Sequence, residues 1–373
     1  MAFPEIFNKD FNIAAEANAF VFGDDGGYAI ENFRLGSQLA ELVLGGYLTA
    51  ERQLDVRVTA RALPNTGGAT TRGQTRLGQL VFNATARGPV TGPTVAGELD
   101  LADLATPTLS IGTAKGQLSA APLTDGSHRY RVGLTGRVEG LGLADPALSE
   151  AVGNRVALNL AATIDEHSVA DVTDLSATTP NLKLAFVGKS GARVLDGQVQ
   201  VDVLRLAALS RLAGMRLGGQ GYVAATLTGD PVAARVDAVL DGRVTGLTLQ
   251  HEVLARLAGR QMTLSGKVER RGERLTLNGV TLSGQHVNAL LNGSLGEGRV
   301  DLRAALVLPD LRQADARLAG AGRAEAQVFG DMLDPDLSLM LAAPDARAMG
   351  RLTAIIGDRD PSLLSSVFRS RGT

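Results

Sequence analysis

Apolar and polar residues alternate along most of this chain. Leu54, Val56 and Val58, for example, are separated by the charged residues Asp55 and Arg57. Because successive side chains of a β-strand point to opposite faces, each such run predicts a strand with one apolar and one polar face. The runs are numerous enough for about 20 strands of five to eight residues each.

A four-residue motif, Arg-Leu-Ala-Gly, occurs three times, at residues 211–214, 256–259 and 317–320. Each copy ends a short segment in which apolar residues have helical spacing, and another alternating run follows it. The pattern predicts a repeated architecture in which a few short helices cap a sheet, with the glycine as the C-cap of each helix.

Turn signals separate the alternating runs at short intervals, which predicts an antiparallel meander. They include Asp125-Gly126, Asp241-Gly242 and Gly296-Glu297-Gly298. After Gly350 the alternation stops. We therefore expect one repetitive β region over residues 1–350, with no clear internal boundary, and an irregular or truncated tail over residues 351–373.

Composition narrows the function classes. The chain has 373 residues with 45 glycines, no cysteine and only 4% aromatic residues. Few aromatic residues disfavour the thick core and the lined pocket of an enzyme. The absence of cysteine excludes disulfides, thiolate metal ligands and cysteine nucleophiles. A formal net charge of -2 without a basic patch argues against a nucleic-acid partner.

Residues with catalytic or ligand chemistry are scattered along the chain. The four histidines never occur at the spacing of metal ligands. Gly188-Lys189-Ser190 resembles the end of a phosphate-binding loop, but Lys183 stands where that loop needs its first glycine. A carboxylate pair contributed by two distant strands stays open. We expect a protein that is not an enzyme and that uses no cofactor, metal or nucleotide.

No stretch approaches the ~20 apolar residues of a membrane-spanning helix. The first ten residues also lack the basic start and apolar core of a signal peptide. We expect that any membrane anchor and export signal belong to a longer parent protein, of which this chain is an internal portion.

Two stretches of the chain carry a resemblance to a known family. One covers residues 264–268 and 275–284, where Leu-Ser-Gly-Lys-Val is followed by Leu-Thr-Leu-Asn-Gly-Val-Thr-Leu-Ser-Gly, and the other covers residues 330–339. Together with the alternating strands and the glycine caps, they resemble the TamB family. TamB is the inner-membrane subunit of the translocation and assembly module and is related to AsmA-like proteins.

The resemblance implies an all-β fold: an elongated, curved antiparallel sheet folded into an open apolar groove. It further implies a periplasmic protein, tethered to the inner membrane in its full-length parent. Such a protein conducts phospholipid between the inner and outer membranes or supports outer-membrane protein assembly and secretion. The implied partners are phospholipid acyl chains and an outer-membrane barrel protein of the TamA type.

The alternating runs supply the side chains that would line this groove. They are Val156, Leu158, Leu160, Ile164, Val199, Val201, Leu275, Leu277, Leu291, Val300, Leu302, Leu306, Leu337 and Leu339. The same apolar rows are also compatible with a β-sandwich, in which two sheets bury them against each other, and with a repeat scaffold that has no lipid conduit.

Overall fold

A computed structural model describes residues 14–22, 26–36, 40–62, 76–317, 319–332, 334–343 and 346–353. Strands account for 68% and helices for 7%, so the expected all-β class is confirmed. The chain divides into two compact units: Met1–Val232 with Thr248–Gln250, and Ala233–Leu247 with His251–Thr373.

In the first unit each strand pairs antiparallel with the next along the chain, except that β8 pairs with β10 and the two-residue β9 pairs with β7. The described pairings give no bond between β1 and β14, so this sheet is open. The strands are β1 (Ala14–Phe22), β2 (Tyr28–Gly36), β3 (Ala40–Leu48), β4 (Gln53–Ala62), β5 (Arg76–Pro89), β6 (Thr94–Ala105), β7 (Leu109–Pro122), β8 (Tyr130–Glu139), β9 (Gly142–Leu143), β10 (Arg155–Ile164), β11 (Ala170–Thr178), β12 (Leu182–Ser190), β13 (Leu195–Val203) and β14 (Leu217–Asp230).

The second unit follows the same rule, since each of its strands pairs antiparallel with its neighbour in sequence. The strands are β15 (Arg235–Leu249, of which the last two residues are counted with the first unit), β16 (Gln261–Arg271), β17 (Arg274–Ser283), β18 (Asn288–Gly296), β19 (Arg299–Leu308), β20 (Gly322–Asp331), β21 (Asp334–Ala343) and β22 (Ala346–Thr353). The first three residues of the predicted tail belong to β22, and residues 354–373 lie outside the described residues.

Most strands are longer than predicted, and β15 reaches 15 residues. The turn predicted at Asp241-Gly242 is wrong, because both residues lie inside β15, where Asp241 pairs with Ser265 and Gly242 with Leu264. Gly242 is buried on the apolar side while Asp241 is exposed on the other. An Asp-Gly pair therefore fits a strand whose faces differ in polarity, and the ladder hydrogen bonds continue through it.

The turn predicted at Gly296-Glu297-Gly298 is confirmed, and the cap prediction is confirmed at one of the three glycines. Glu297 and Gly298 have φ angles of 55° and 72° between β18 and β19. The glycines of the three repeated motifs, Gly214, Gly259 and Gly320, have φ angles of 64°, 70° and 82°. These left-handed values suit glycine because it has no Cβ. Gly259 is the C-cap of the helix Glu252–Ala258. The 3-10 helices Leu206–Leu209 and Leu311–Gln313 are capped by Ser210 and Ala314, so the cap prediction is wrong for Gly214 and Gly320, which lie several residues farther along the chain.

The helices are short and connect strands. They are α1 (Pro146–Val152), α2 (Glu252–Ala258) and the 3-10 helices Leu206–Leu209 and Leu311–Gln313. Sequence analysis missed α1, although its start carries a recognisable signal. The Asp145 carboxylate accepts hydrogen bonds from the backbone N–H of Ala147 at 2.7 Å and of Leu148 at 3.2 Å, and Pro146 occupies the first helical position.

Candidate functional site

Strand pairing sorts the side chains of the first unit onto two faces, because directly opposed residues of an antiparallel pair share a face. Three ladders cross the eleven strands β3–β8 and β10–β14 without meeting a polar residue. The first is Leu44, Val58, Ala84, Gly97, Leu118, Leu134, Leu160, Leu175, Phe186, Val199 and Ala225. The second is Leu42, Ala60, Phe82, Leu99, Gly116, Gly136, Leu158, Ala177, Leu184, Val201 and Val223. The third is Gly46, Val56, Ala86, Val95, Ala120, Val132, Ala162, Val172, Gly188, Gly197 and Leu227.

These three ladders define the apolar face of the first unit. All six residues predicted there lie on it. Leu158, Leu160, Val199 and Val201 belong to the ladders themselves, and the other two lie beside them on β10. They are Val156, which pairs with Val138, and Ile164, which pairs with Tyr130. Residues separated by up to 45 positions in sequence thus share one surface.

The other eight predicted residues share one face of the second unit. Leu277, Leu302 and Leu337 belong to a ladder that starts at Ala238 and ends at Leu352. The rest follow on the same side, namely Leu275, Leu291, Val300, Leu306 and Leu339. This face is less uniform than that of the first unit, because Leu275 pairs with the charged residue Arg270.

None of the predicted residues whose side chains are described is buried. Leu158 is 37% exposed, and twelve others are half-buried. The side chain of Leu339 lies outside the described residues. A side chain inside a β-sandwich would be covered by the opposite sheet. The apolar faces therefore retain contact with solvent in both units.

A small hydrophobic core lies on the apolar face of the first unit. Ala162, Val172 and Phe186 are 4%, 5% and 8% exposed, and the predicted residues Leu160 and Val199 pack against them. All five come from the adjacent strands β10–β13. The register shifts where β10 meets β11, as it does at a β-bulge, which bends a strand locally.

Two phenylalanine rings cover glycines on this face, and sequence analysis did not identify either ring as functional. A Cβ atom added at Gly197 would lie 2.8 Å from Cε2 of Phe186, and one added at Gly97 would lie 3.3 Å from Cε2 of Phe82. Each glycine thus makes room for an aromatic ring from the neighbouring strand.

The opposite, polar face of the first unit carries cross-strand ion pairs. The guanidinium of Arg87 lies 3.2 Å from the carboxylate of Asp55, and the ammonium of Lys115 lies 3.6 Å from that of Asp100. The two residues of each pair are directly opposed on adjacent strands. Solvent-exposed pairs of this kind add little to stability. Their effect is to keep this face hydrated.

Two adjoining cavities lie on the polar face, with volumes of about 810 Å³ and 800 Å³. On most of its strands, the first cavity is lined by three successive residues. The first and the third of these residues belong to the polar face. The second cavity has the same arrangement on most of its strands, and Asn83, Glu98, Gln117 and Thr135 border both. Sequence analysis did not predict these cavities, although small residues at polar-face positions, such as Ala96 and Ala161, were a possible signal.

Two carboxyl groups in turns have perturbed acidity. A hydrogen bond from the Ser127 hydroxyl, followed by the Ser127 backbone N–H and the Arg129 guanidinium, lowers the pKa of Asp125 to about 2. Hydrogen bonds from Arg317 lower the pKa of Asp315 to about 2. Both carboxyl groups lie in exposed loops, so the shifts reflect local turn structure and not an active site.

Across the described ranges, no three histidine or acidic side chains form a group that could hold a metal ion. No helix within those ranges is long and apolar enough to cross a bilayer. No protein-family model matches the chain, and no curated protein matches it.

Proposed function

We propose that the apolar faces bind the acyl chains of phospholipids. In this proposal the chain is a periplasmic portion of a TamB-like envelope protein, which conducts phospholipid between the inner and outer membranes or supports outer-membrane protein assembly and secretion. A TamA-type outer-membrane barrel protein is the partner that the sequence resemblance implies.

The observation that carries the proposal is the combination of uniform apolarity with exposure. Thirty-three ladder positions of the first unit hold only leucine, valine, alanine, phenylalanine or glycine. Several of their large side chains remain open, among them Leu99 at 38%, Leu134 at 36% and Leu158 at 37% exposure. Contiguous exposed apolar surface of this kind marks a binding surface.

The dimensions suit a hydrocarbon chain. Eleven strands at ~4.8 Å spacing extend about 48 Å along the sheet, and neighbouring ladders lie about 7 Å apart. An acyl chain that leaves water for this surface gains about 0.8 kcal/mol per buried CH₂. A chain that leaves a bilayer gains almost nothing, because both surroundings are apolar. A lipid therefore moves along the face without a deep energy minimum to hold it.

The proposed role also explains why the three ladders carry no catalytic or metal-binding side chains. Movement of a lipid along an apolar surface requires no general base, metal or nucleotide, because no covalent bond changes. A sandwich, the alternative that the sequence left open, would cover the ladders with a second layer, whereas the predicted side chains that the structure describes are half-buried or exposed.

Lipid analysis of matched variants tests the proposal. Leu158→Glu places a charge on the apolar face, and Ala157→Glu places the same charge at the preceding, exposed position on the polar face. We expect phospholipid in organic extracts of the purified unmodified protein, detected by mass spectrometry. Leu158→Glu should lose most of it and Ala157→Glu should keep it. A lipid-free unmodified protein, or equal lipid in the two variants, would refute the proposal.

A further inference from the structure

The adjoining cavities on the polar face form a second candidate binding surface, independent of the apolar one. Asn83, Glu98, Gln117 and Thr135 border both cavities and belong to one ladder of the first unit, on β5–β8. The same ladder continues to β4 and to β10, whose member also lines the first cavity. The ladder consists of Thr59, Asn83, Glu98, Gln117, Thr135 and Asn159. Each of these side chains carries hydroxyl, carboxamide or carboxylate groups, and five of the six are uncharged.

The lining can both donate and accept hydrogen bonds. The carboxamide of Gln117 offers two donors and one acceptor oxygen. That of Asn83 keeps its two donors, while its oxygen accepts a 2.9 Å hydrogen bond from the Thr59 hydroxyl. The charged side chains of the two cavities are of both signs and nearly balance: Arg57, Lys115 and Arg137 against Glu98 and Asp100. A neutral ligand rich in hydroxyl groups therefore complements this lining better than an anion or a cation.

Small residues provide the space beside the ladder. Ala96, Gly133 and Ala161 belong to the neighbouring polar-face ladder, on β6, β8 and β10, and all three line the first cavity. Between β6 and β8 the same ladder passes through Ser119, which is also small. Side chains of this size leave a depression in which one edge of a flat ring can rest against the backbone.

The repeat distance selects the class of polymer. Successive members of the ladder are separated by the strand spacing of ~4.8 Å, which is close to the advance of one sugar in an extended glycan. An extended polypeptide advances only ~3.3 Å per residue. Its residues would therefore no longer align with the side chains of the ladder after one or two strands.

We propose that the polar face of β4–β10 binds a neutral polysaccharide segment of about six sugars, laid across the strands with one sugar over each member of the ladder. The hydroxyl groups of the glycan exchange hydrogen bonds with Asn83, Gln117, Thr135 and Asn159. Because this surface is on the face opposite the apolar ladders, it is free whether or not lipid is bound.

Titration with defined hexasaccharides tests this proposal. Cellohexaose and chitohexaose are added to the intact chain, and binding is measured by isothermal titration calorimetry. Gln117→Ala removes an exposed carboxamide from the ladder, and Ala161→Met fills the depression without altering a polar group. The matched control, Gln200→Ala, removes an exposed carboxamide from the same polar face on β13, outside the cavities.

We expect at least one hexasaccharide to bind. Gln117→Ala and Ala161→Met should each weaken its affinity tenfold or more, and Gln200→Ala should leave it unchanged. Circular dichroism verifies that each variant is folded. The absence of binding at millimolar sugar overturns the proposal, as does equal weakening by all three variants. Binding of an unfolded polypeptide in place of sugar, with the same dependence on Gln117, would assign the surface to protein clients and also overturn it. Lipid content should stay at the unmodified level in all three variants, so the outcome is separable from that of the lipid proposal.

Discussion

Phe186 contributes the largest buried side chain to the core of the first unit, and its replacement by alanine tests how the apolar face is held together. The ring is 8% exposed, packs with Ala162 and Val172, and covers Gly197. Removal of a buried phenylalanine side chain costs about 3–5 kcal/mol. We expect about 3 kcal/mol for Phe186→Ala, at the lower end, because only three residues of this cluster are buried.

The control is the next residue on the same strand. Val187 points to the polar face and is 53% exposed, so Val187→Ala should change stability by less than about 0.5 kcal/mol. Urea unfolding followed by circular dichroism gives the free energies. Because a chain with two units need not unfold in one step, amide hydrogen exchange of β11–β13 supplies a local measure of the same difference.

A comparable loss of stability in Phe186→Ala and Val187→Ala would refute this reasoning. It would mean that the polar face is as well packed as the apolar one and that the core is not confined to a single side. Phe186→Leu refines the outcome: it should recover more than half of the loss, since it restores apolar volume but not the ring over Gly197.

Three further predictions concern local structure. Gly188→Ala, at φ 143° with a new Cβ 2.3 Å from the backbone of the neighbouring strand, should lower stability by more than about 2 kcal/mol. Gly126→Ala, in a turn at φ 78° with open space around the new Cβ, should cost about 1 kcal/mol; equal losses in urea unfolding would contradict the close approach. Ser127→Ala should raise the pKa of Asp125 from about 2 toward 3.8, as measured by NMR titration. Because the folded pKa is lowered, the stability contributed by Asp125 is present above pH 3.8 and is lost as the pH falls toward 2. An unchanged midpoint of the Asp125 titration in the variant would rule out the serine as the main cause of the low pKa. Asn181→Ala should lower the melting temperature by several degrees, since this 7% exposed side chain donates a 2.8 Å hydrogen bond to a carbonyl of α1. A melting temperature within one degree of that of the unmodified protein would show that the hydrogen bond adds nothing to stability.

The polarity of each strand face was determined by the sequence alone. Alternation assigns Leu158 and Leu160 to one side and Asn159 to the other whatever the strand pairs with, because the side-chain period of a strand is two. The all-β class, the glycine cap at Gly259 and the turn at Glu297-Gly298 follow from similarly local rules. The carboxyl of Asp145 and the following proline also marked the start of α1 locally, although this signal was missed.

Only the tertiary structure decided which residues became neighbours. Register brings Leu44 and Ala225 into one ladder, although 181 positions separate them in sequence. It also determines that Asp241-Gly242 continues a strand, because pairing with Ser265 and Leu264 satisfies backbone groups that a turn would leave open. The position of the cavities likewise depends on how small side chains of different strands align. Local pattern determines the face of each residue, and the long-range hydrogen bonds between strands determine what that face is next to.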